Sequence, residues 1–130
     1  FKKNLKLRQN YAHYLINGLK PFEKLLQLPS WPSHSEHAFM MFPLVIINNA
    51  ISRDKLIFHL ENHNVETRYL LPLINQPIYK KLFGNLEPQY PVAAHLNKNG
   101  FYIGCHPEMK KRDLDYIIKV FGSFFLKFKK

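Results

Sequence analysis

This 130-residue sequence has few of the residues that build covalent or metal-bound frameworks. Its one cysteine, Cys105, excludes an intramolecular disulfide and leaves a zinc finger without its cysteine pair. The five glycines are isolated, so neither a glycine-rich phosphate loop nor a GxSxG nucleophile elbow is present. Because a lone thiol suits a reducing compartment, we expect a cytoplasmic protein.

Long apolar runs are also missing. The longest, 38–47, has ten residues and contains Pro43, whereas a helix needs about twenty apolar residues to cross a bilayer. No secretory signal pattern is present, and no membrane association is predicted. With 46% hydrophobic and 15% aromatic residues, residues 1–130 can fill one core, and we expect a single domain. Since the first residue is Phe1 and not methionine, we expect that domain to be part of a larger protein.

Acidic residues are scarce, and the formal net charge is +10. The excess lies at the two ends: residues 1–30 and 110–130 each carry a net +5, and the chain between them is neutral. Such a balance can attract nucleic acid or anionic partners. No arginine cluster alternates with aromatic residues, however, so solvated helix faces explain the lysines better and nucleic-acid binding is not expected.

Hydrophobic periodicity of 3.6 residues predicts helices over 3–19, 53–63, 91–98 and 111–128. Pro21 favours a further short helical turn that carries Phe22, Leu25 and Leu26. Ser52 is placed to cap the second helix at its N-terminus. At the opposite end of that helix Asn64 can take the left-handed conformation, and Gly100 is predicted to end the third helix in the same C′ position.

Three strands are predicted, over 37–47, 65–71 and 101–107. The first lacks polar–apolar alternation, so we expect both of its faces to be covered, and Pro43 suggests an edge position or a bulge. Residues 28–36 and 76–84 are predicted as loops, the second with at most one helical turn. The element order predicts an α+β fold, an α/β sandwich with a small sheet and helices packed against it.

Histidines and the cysteine offer weak candidates for chemistry. His59 and His63 are four apart on a predicted helix, but Leu60 stands where a zinc-protease motif has glutamate, so an exposed polar face is predicted and no metal site. Cys105 and His106 are adjacent on a strand and therefore point to opposite faces, which disfavours a thiol–base pair. Cys105 is predicted to be a packing residue.

Several ordered segments together resemble one known family. "NVETRYLLPLINQPIY" (64–79) and "YPVAAHLNKNGFYIGCHPEMKKRDLDYII" (90–118) are similar to the C-terminal part of the DegT/StrS family of sugar aminotransferases. "SHSEHAFMMFPLVI" (33–46) resembles the strand that opens that family's small domain, and "LKLRQNYAHYLINGL" (5–19) resembles the helix before it. The resemblance covers nearly the whole chain.

The resemblance implies the small C-terminal domain of an aspartate-aminotransferase-type (fold type I) enzyme, with a mostly antiparallel sheet. Such enzymes use pyridoxal phosphate, usually work as homodimers, and move an amino group, typically from glutamate, to a keto-sugar nucleotide. The cofactor lysine and the acidic partner of the pyridine ring belong to a large domain whose motifs are absent here. No cofactor and no catalytic residue are therefore expected in these 130 residues, which should be inactive alone.

The resemblance also suggests substrate-binding residues. Arg68 matches the arginine of the family's "ETR" segment, at a strand end that faces the cleft, and could hold the amino donor's carboxylate or a substrate phosphate. A structural ion pair at Arg68 remains the alternative. Further candidates come from the loop after that strand, from the "HP" turn and from the segment before the first strand: Gln76, Tyr79, His106, His34 and His37.

Other functions stay open at this stage. Relatives whose cofactor lysine is replaced by histidine are sugar 3-dehydratases, and that position lies outside this chain. A free-standing basic module for nucleic acid or acidic partners is the rival from another class, and a strongly salt-dependent affinity for DNA or RNA would favour it. A structural domain without a ligand is the third possibility.

Overall fold

A computed structural model describes residues 1–128 of the chain. Five α-helices are present in this range: α1 (Lys2–Leu19), α2 (Arg53–Asn62), α3 (Pro77–Phe83), α4 (Pro91–Asn99) and α5 (Lys111–Phe125). Four strands accompany them: β1 (Leu26–Gln27), β2 (Met41–Ile46), β3 (Thr67–Tyr69) and β4 (Gly100–Gly104). Single turns of 3₁₀ helix cover Lys20–Phe22, Leu73–Asn75, Glu87–Gln89 and Leu126–Phe128.

The strands form one antiparallel sheet in the order β1-β2-β4-β3. Side chains alternate between its two faces, so Phe42, Ile103 and Thr67 lie in one row across the sheet and are buried. The neighbouring row, Pro43, Tyr102 and Arg68, points to the opposite face and is not buried. We call these the inner and the outer face.

Helices α1, α2 and α5 cover the inner face. Each contributes an apolar stripe, with Leu15 and Leu19 from α1, Leu56 and Leu60 from α2, and Phe121 from α5, all without exposed area. Helix α1 packs on α5 although some hundred residues separate them in sequence. The fold is therefore an α+β sandwich, as the sequence predicts, with the core between the sheet and one layer of helices.

Local capping explains where α2 begins and ends. The Ser52 hydroxyl accepts a hydrogen bond from the Lys55 N–H at 3.4 Å. At the other end Asn64 has φ 58°, and a Schellman motif closes the helix: the Val65 N–H donates to Leu60 O, and the Asn64 N–H to Glu61 O. The predicted N-cap and left-handed C′ residue are confirmed.

Several predicted boundaries were wrong. The first predicted strand begins four residues late, at Met41, and β3 is only three residues long. Leu26 is not helical but pairs with Ile46 in β1, which had been missed. Residues 77–83, predicted as a loop with one turn, form α3 behind Pro77, which occupies the first helical turn where its missing N–H costs nothing.

Two predictions about β2 need correction. Phe42, Leu44 and Ile46 fill the core, but the outer face is covered only in part: Val45 is buried there, whereas Met41 is exposed. Pro43 lies in β2, which has a neighbouring strand on each side, and it is opposite Tyr102 of β4. Strand β1 pairs only with Val45 and Ile46, so at Pro43 the ladder has a partner on one side alone, which removes the need for a second hydrogen bond there.

Gly100 is required for a reason other than the predicted one. Helix α4 ends at Gly100, as predicted, and the φ of this glycine is −90°, which is an extended conformation. A Cβ at this position would lie 2.5 Å from Leu96 O and 2.6 Å from Leu70 Cδ1. The glycine therefore lets α4 turn directly into β4 while Leu70 packs across the backbone.

Candidate functional site

Arg68 is the middle residue of β3 and points away from the core. The sequence had suggested a strand end, but β3 continues to Tyr69. In the ladder Arg68 lies opposite Tyr102 of β4, on the outer face. A shallow hollow there is lined by Arg68, Glu66, Thr67, Tyr102 and Gly104. The guanidinium is therefore presented to the surroundings of the molecule and not to its interior.

The partners of the Arg68 guanidinium are local. Its Nη2 forms an ion pair with Glu66 Oε1, and its Nη1 donates to its neighbour's carbonyl, Thr67 O, at 2.9 Å. Both charged side chains are well exposed, Arg68 at 60% and Glu66 at 75%. Ion pairs this exposed contribute about 0–1 kcal/mol, so an incoming carboxylate or phosphate could replace Glu66 at low cost.

His106 follows the end of β4 and lines an adjoining groove. The groove, about 450 Å³ and open to solvent, runs between the turn after α2 and the start of α5. Its polar lining includes His106, Glu66, Asp113 and Tyr116, and its apolar floor is made by Ile103, Met109 and Ile117. Glu66 and Gly104 line both this groove and the hollow at Arg68, so the two concavities are neighbours.

Two of the groove's polar groups already have structural partners. The Asp113 carboxylate accepts from the Lys110 N–H at 2.8 Å and so caps α5. Tyr116 Oη donates to His63 O at 3.0 Å and ties α5 to the end of α2. These contacts fix the groove's walls and leave the exposed His106 imidazole as the side chain with most freedom to contact a ligand.

Gln76 and Tyr79 do not line the hollow at Arg68. Gln76 precedes α3, and its amide donates to Leu71 O at 3.4 Å. Tyr79 lies on α3, where its ring contacts Phe83 with centroids 5.7 Å apart. The structure therefore places this pair of candidates on a segment distinct from the strand that carries Arg68.

His37 belongs to a local aromatic cluster before β2. Its Nδ1 accepts from the Phe39 N–H at 3.0 Å, and its ring lies 4.5 Å from the Phe39 ring. Phe39 is buried with φ 46°, and it also contacts Trp31. His34 is exposed in the preceding loop. His37 thus supports a backbone turn, a role that its spacing from His34 does not predict.

Arg8 ties this turn to the end of β4. From α1, its Nη1 donates to Cys105 O at 2.8 Å, to Phe39 O at 3.1 Å and to Met40 O at 3.3 Å. One guanidinium therefore binds carbonyls of two segments, the one just after His37 and the one just before His106. The local sequence does not indicate this role of Arg8, because its partners lie more than thirty residues away.

Cys105 and the helical histidine pair carry no reactive arrangement. Cys105 is buried, and burial raises the pKa of its thiol to about 11, with Arg8 opposing that shift in part. The predicted packing role of Cys105 is confirmed. His59 is half-buried: its Nε2 lies 3.0 Å from Ser123 Oγ and 3.2 Å from Val120 O of α5, so the prediction of an exposed face was wrong for this residue. Within residues 1–128, no three His, Cys, Asp or Glu side chains are grouped to hold a metal.

Comparison with known proteins identifies the family. The model of the DegT/DnrJ/EryC1/StrS aminotransferase family matches residues 1–121. This chain belongs to that family. It is similar to the lipopolysaccharide biosynthesis protein RfbH of Salmonella typhimurium, with 26% identity over 115 residues. The match covers 86% of this chain and 26% of RfbH.

Solved structures of the DegT/DnrJ/EryC1/StrS family share the fold. A family aminotransferase from Brucella abortus is 25% identical with a TM-score of 0.73, over 93% of this chain and 31% of that one. A GDP-4-keto-6-deoxymannose-3-dehydratase with a trapped PLP–glutamate geminal diamine is 20% identical with a TM-score of 0.72, over 92% and 31%. The chain thus spans about a quarter to a third of the length of these relatives.

The described residues do not form a site for the family's cofactor by themselves. Every lysine among residues 1–128 is exposed, so none is held in a closed cleft where it could form a Schiff base. No step through the cofactor is therefore assigned to this chain.

Glu66 and Tyr102 were missed as neighbours of Arg68. The spacing in "ETR" contained part of the signal, because residues two apart on a strand share a face and opposite charges there pair. Tyr102 could not be found in this way. Its position beside Arg68 depends on the β3–β4 register, which no local pattern in either strand specifies.

Proposed function

We propose that this chain is the C-terminal small domain of a pyridoxal-phosphate-dependent enzyme that transfers an amino group to a keto-sugar nucleotide. Membership of an aminotransferase family supports the reaction class. Similarity to RfbH supports a sugar of a surface polysaccharide. In the complete enzyme a large domain supplies the cofactor and its lysine, two such chains form a homodimer, and this domain closes over the cleft. Glutamate is the proposed amino donor.

The observation that supports a binding role for this domain is the exposure of the Arg68 guanidinium and its lack of strong partners within the fold. Its guanidinium lies on the sheet face that α1, α2 and α5 leave uncovered, and its only side-chain partner among the described residues is an exposed carboxylate two residues away. Glu66 occupies a position that a ligand carboxylate or phosphate can take. We therefore assign Arg68 to bind an anionic group of a substrate by a bidentate pair, with His106 in the adjoining groove.

Arg68→Ala in the full-length enzyme tests this assignment. Loss of a charge-assisted bidentate contact costs about 1.5–3 kcal/mol, so we expect KM for one substrate to rise roughly 10- to 100-fold. A rise confined to the amino donor identifies its carboxylate as the ligand, and a rise confined to the sugar nucleotide identifies a phosphate. Arg68→Lys should restore only part of the binding, because an ammonium cannot form the planar pair.

Glu66→Gln is the matched control for Arg68→Ala. It removes the competing carboxylate and keeps the side chain's size, so KM should stay the same or fall. If Arg68→Ala lowers stability but leaves both KM values unchanged, Arg68 serves only the structural pair with Glu66, and the binding role is wrong.

Dehydration is the second candidate function, since a sugar 3-dehydratase shares this fold and carries a PLP–glutamate adduct. We propose that the residue that decides between transamination and dehydration lies in the large domain. A lysine there moves the proton in transamination, and a histidine replaces it in dehydratases. Reading the gene upstream of the codon for Phe1 distinguishes them. A domain with the lysine supports transamination, and a histidine there redirects the proposal to dehydration. An unrelated upstream domain would overturn both.

A further inference from the structure

Residues 70–99 differ from the rest of the molecule because none of them is buried. This segment, which we call the arm, contains α3, α4 and two 3₁₀ turns, and it joins β3 to β4. Each of the other α-helices, and every strand, has at least one buried residue. The arm lies outside the core and has no core of its own.

The arm is nevertheless rich in large apolar side chains. Leu71, Leu73, Ile78, Leu82, Phe83, Tyr90 and Val92 are all more than half exposed. Helices of seven and nine residues, such as α3 and α4, are too short to be stable in water without tertiary packing, since isolated helices below about 12 residues are marginal. Large apolar side chains this exposed, concentrated in one segment, are typical of an interface.

A buried polar atom in the arm also lacks a partner. The Asn75 side chain donates through its amide to Glu87 Oε1 at 2.6 Å, but its Oδ1 is enclosed and accepts no hydrogen bond from the described residues. Buried acceptors in folded proteins are normally paired. The arm is thus incomplete in its polar contacts as well as in its apolar ones.

Contacts with α2 and with the sheet hold α4 in place. Arg53 Nη1 at the start of α2 donates to Asn97 O and, at 3.4 Å, to Gly100 O, and its guanidinium lies 4.3 Å from the Tyr69 ring centroid. Helix α4 is held against β2 and β4 in this way, whereas α3 packs on the 3₁₀ turn before it. Helix α3 has no buried residue, and its apolar side chains Ile78, Leu82 and Phe83 are exposed.

We propose that the arm is the docking surface by which this chain binds the large pyridoxal-phosphate domain of its own enzyme. This inference rests on the proposed function. The family's relatives are three to four times as long as this chain, so most of a family enzyme is available to cover the arm. A second copy of this chain is a poorer occupant, because the arm carries three lysines against Glu87 and the chain has a net charge of +10.

The test compares the 130-residue chain with the full-length protein that contains it, by amide hydrogen exchange. We expect the amides of 77–83 and 91–99 to exchange roughly tenfold or more slowly in the full-length protein, because docking buries them there. Phe83→Ser should abolish that slowing. Phe58→Ser is the matched control: Phe58 on α2 is 70% exposed, Phe83 is 60% exposed, and the Phe58 variant should leave arm exchange unchanged.

Three results would overturn the docking proposal. Arm amides could exchange equally fast in both proteins, or Phe58→Ser could have the same effect as Phe83→Ser. Sedimentation of the 130-residue chain could instead reveal a dimer that Phe83→Ser alone dissociates, which would make a second copy the occupant. Absorbance of bound cofactor in the full-length protein reports separately on the proposed function: absorbance without arm protection rejects the docking surface alone, and absence of the cofactor rejects the function.

Discussion

At the scale of single residues, Arg8 connects the start of β2 to the end of β4, because it contacts Phe39 and Met40 before β2 and Cys105 after β4. Arg8 on α1 binds the carbonyl of Cys105, and the Cys105 thiol in turn lies 3.6 Å from Arg8 O. The same guanidinium reaches Phe39, whose left-handed backbone is unusual for a bulky residue. A charge on one side chain thus stabilises a strained turn that precedes β2.

Burial of Cys105 predicts a stability loss at high pH. Burial raises its pKa from an ordinary value of 9.0 to about 11 in the folded chain, so the folded state keeps the proton to higher pH than the unfolded state. This contribution is complete below pH 9 and is lost as the pH rises through 11. We expect the unfolding free energy to fall by about 2 kcal/mol more in the parent chain than in Cys105→Ala over this interval.

Urea unfolding of both chains between pH 8 and pH 11 measures that difference. Thiol labelling at neutral pH provides a second readout: Cys105 should react slowly with a maleimide in the native chain and rapidly in urea, because only the thiolate of an accessible cysteine reacts well. Parallel pH curves for the two chains, or fast native labelling, would contradict the assignment of a buried, protonated thiol.

At the scale of elements, the contact between α1 and α5 depends on one glycine. Gly18 lies within α1, where a Cβ would come 2.2 Å from Ile118 Cδ1 and 2.7 Å from its Cγ1. Helix α1 continues past Gly18 to Leu19. The glycine serves packing between helices and not the end of α1.

Two alanine substitutions in helices should therefore have opposite signs. Gly18→Ala improves helix propensity but forces Ile118 out of place, and we expect a loss of about 1–3 kcal/mol in unfolding free energy. Gly122→Ala in α5 meets only Phe22 Cζ, at 3.7 Å, and should gain about 0.5–1 kcal/mol from propensity alone. Denaturant unfolding of the two variants measures these changes in unfolding free energy. If both variants were more stable than the parent chain, α1 and α5 would be less closely packed than the structure shows.

At the scale of the whole molecule, the two basic ends of the sequence meet in one layer. Helix α1 holds most of the N-terminal lysines, and α5 carries Lys111, Arg112 and Lys119 from the basic C-terminal part. The two helices pack together. Tyr14 of α1 donates to Asp115 of α5, and this hydrogen bond is the main cause that lowers the pKa of that carboxyl. In the described range, no helix is long and apolar enough to cross a bilayer.

The molecule also divides into a packed part and the arm, which predicts unequal responses to the same substitution. Leu15 is completely buried in α1, and Leu15→Ala should cost about 2–5 kcal/mol of unfolding free energy. Leu82 in the arm is 64% exposed, and Leu82→Ala in the 130-residue chain should change stability by less than about 0.5 kcal/mol. Equal losses in urea unfolding would show that the arm is packed into the core.

The sequence by itself determined the elements whose signals are local. Apolar periodicity specified α1, α2 and α5, because one face of each must be buried, and Ser52 and Asn64 marked the ends of α2 through caps of a few residues. Resemblance over ordered segments indicated the family, and the match over residues 1–121 confirmed it. The α+β class followed from the order of elements.

Only the tertiary structure decided the features that depend on distant partners. Strand β1 exists because Leu26 pairs with Ile46, and Arg68 meets Tyr102 because β3 pairs with β4 in one register. Arg8 binds carbonyls up to 97 residues away. The arm's large apolar residues stay exposed, and no helix or strand among residues 1–128 buries them. Local patterns record which side chains avoid water, whereas the fold decides which partner covers them.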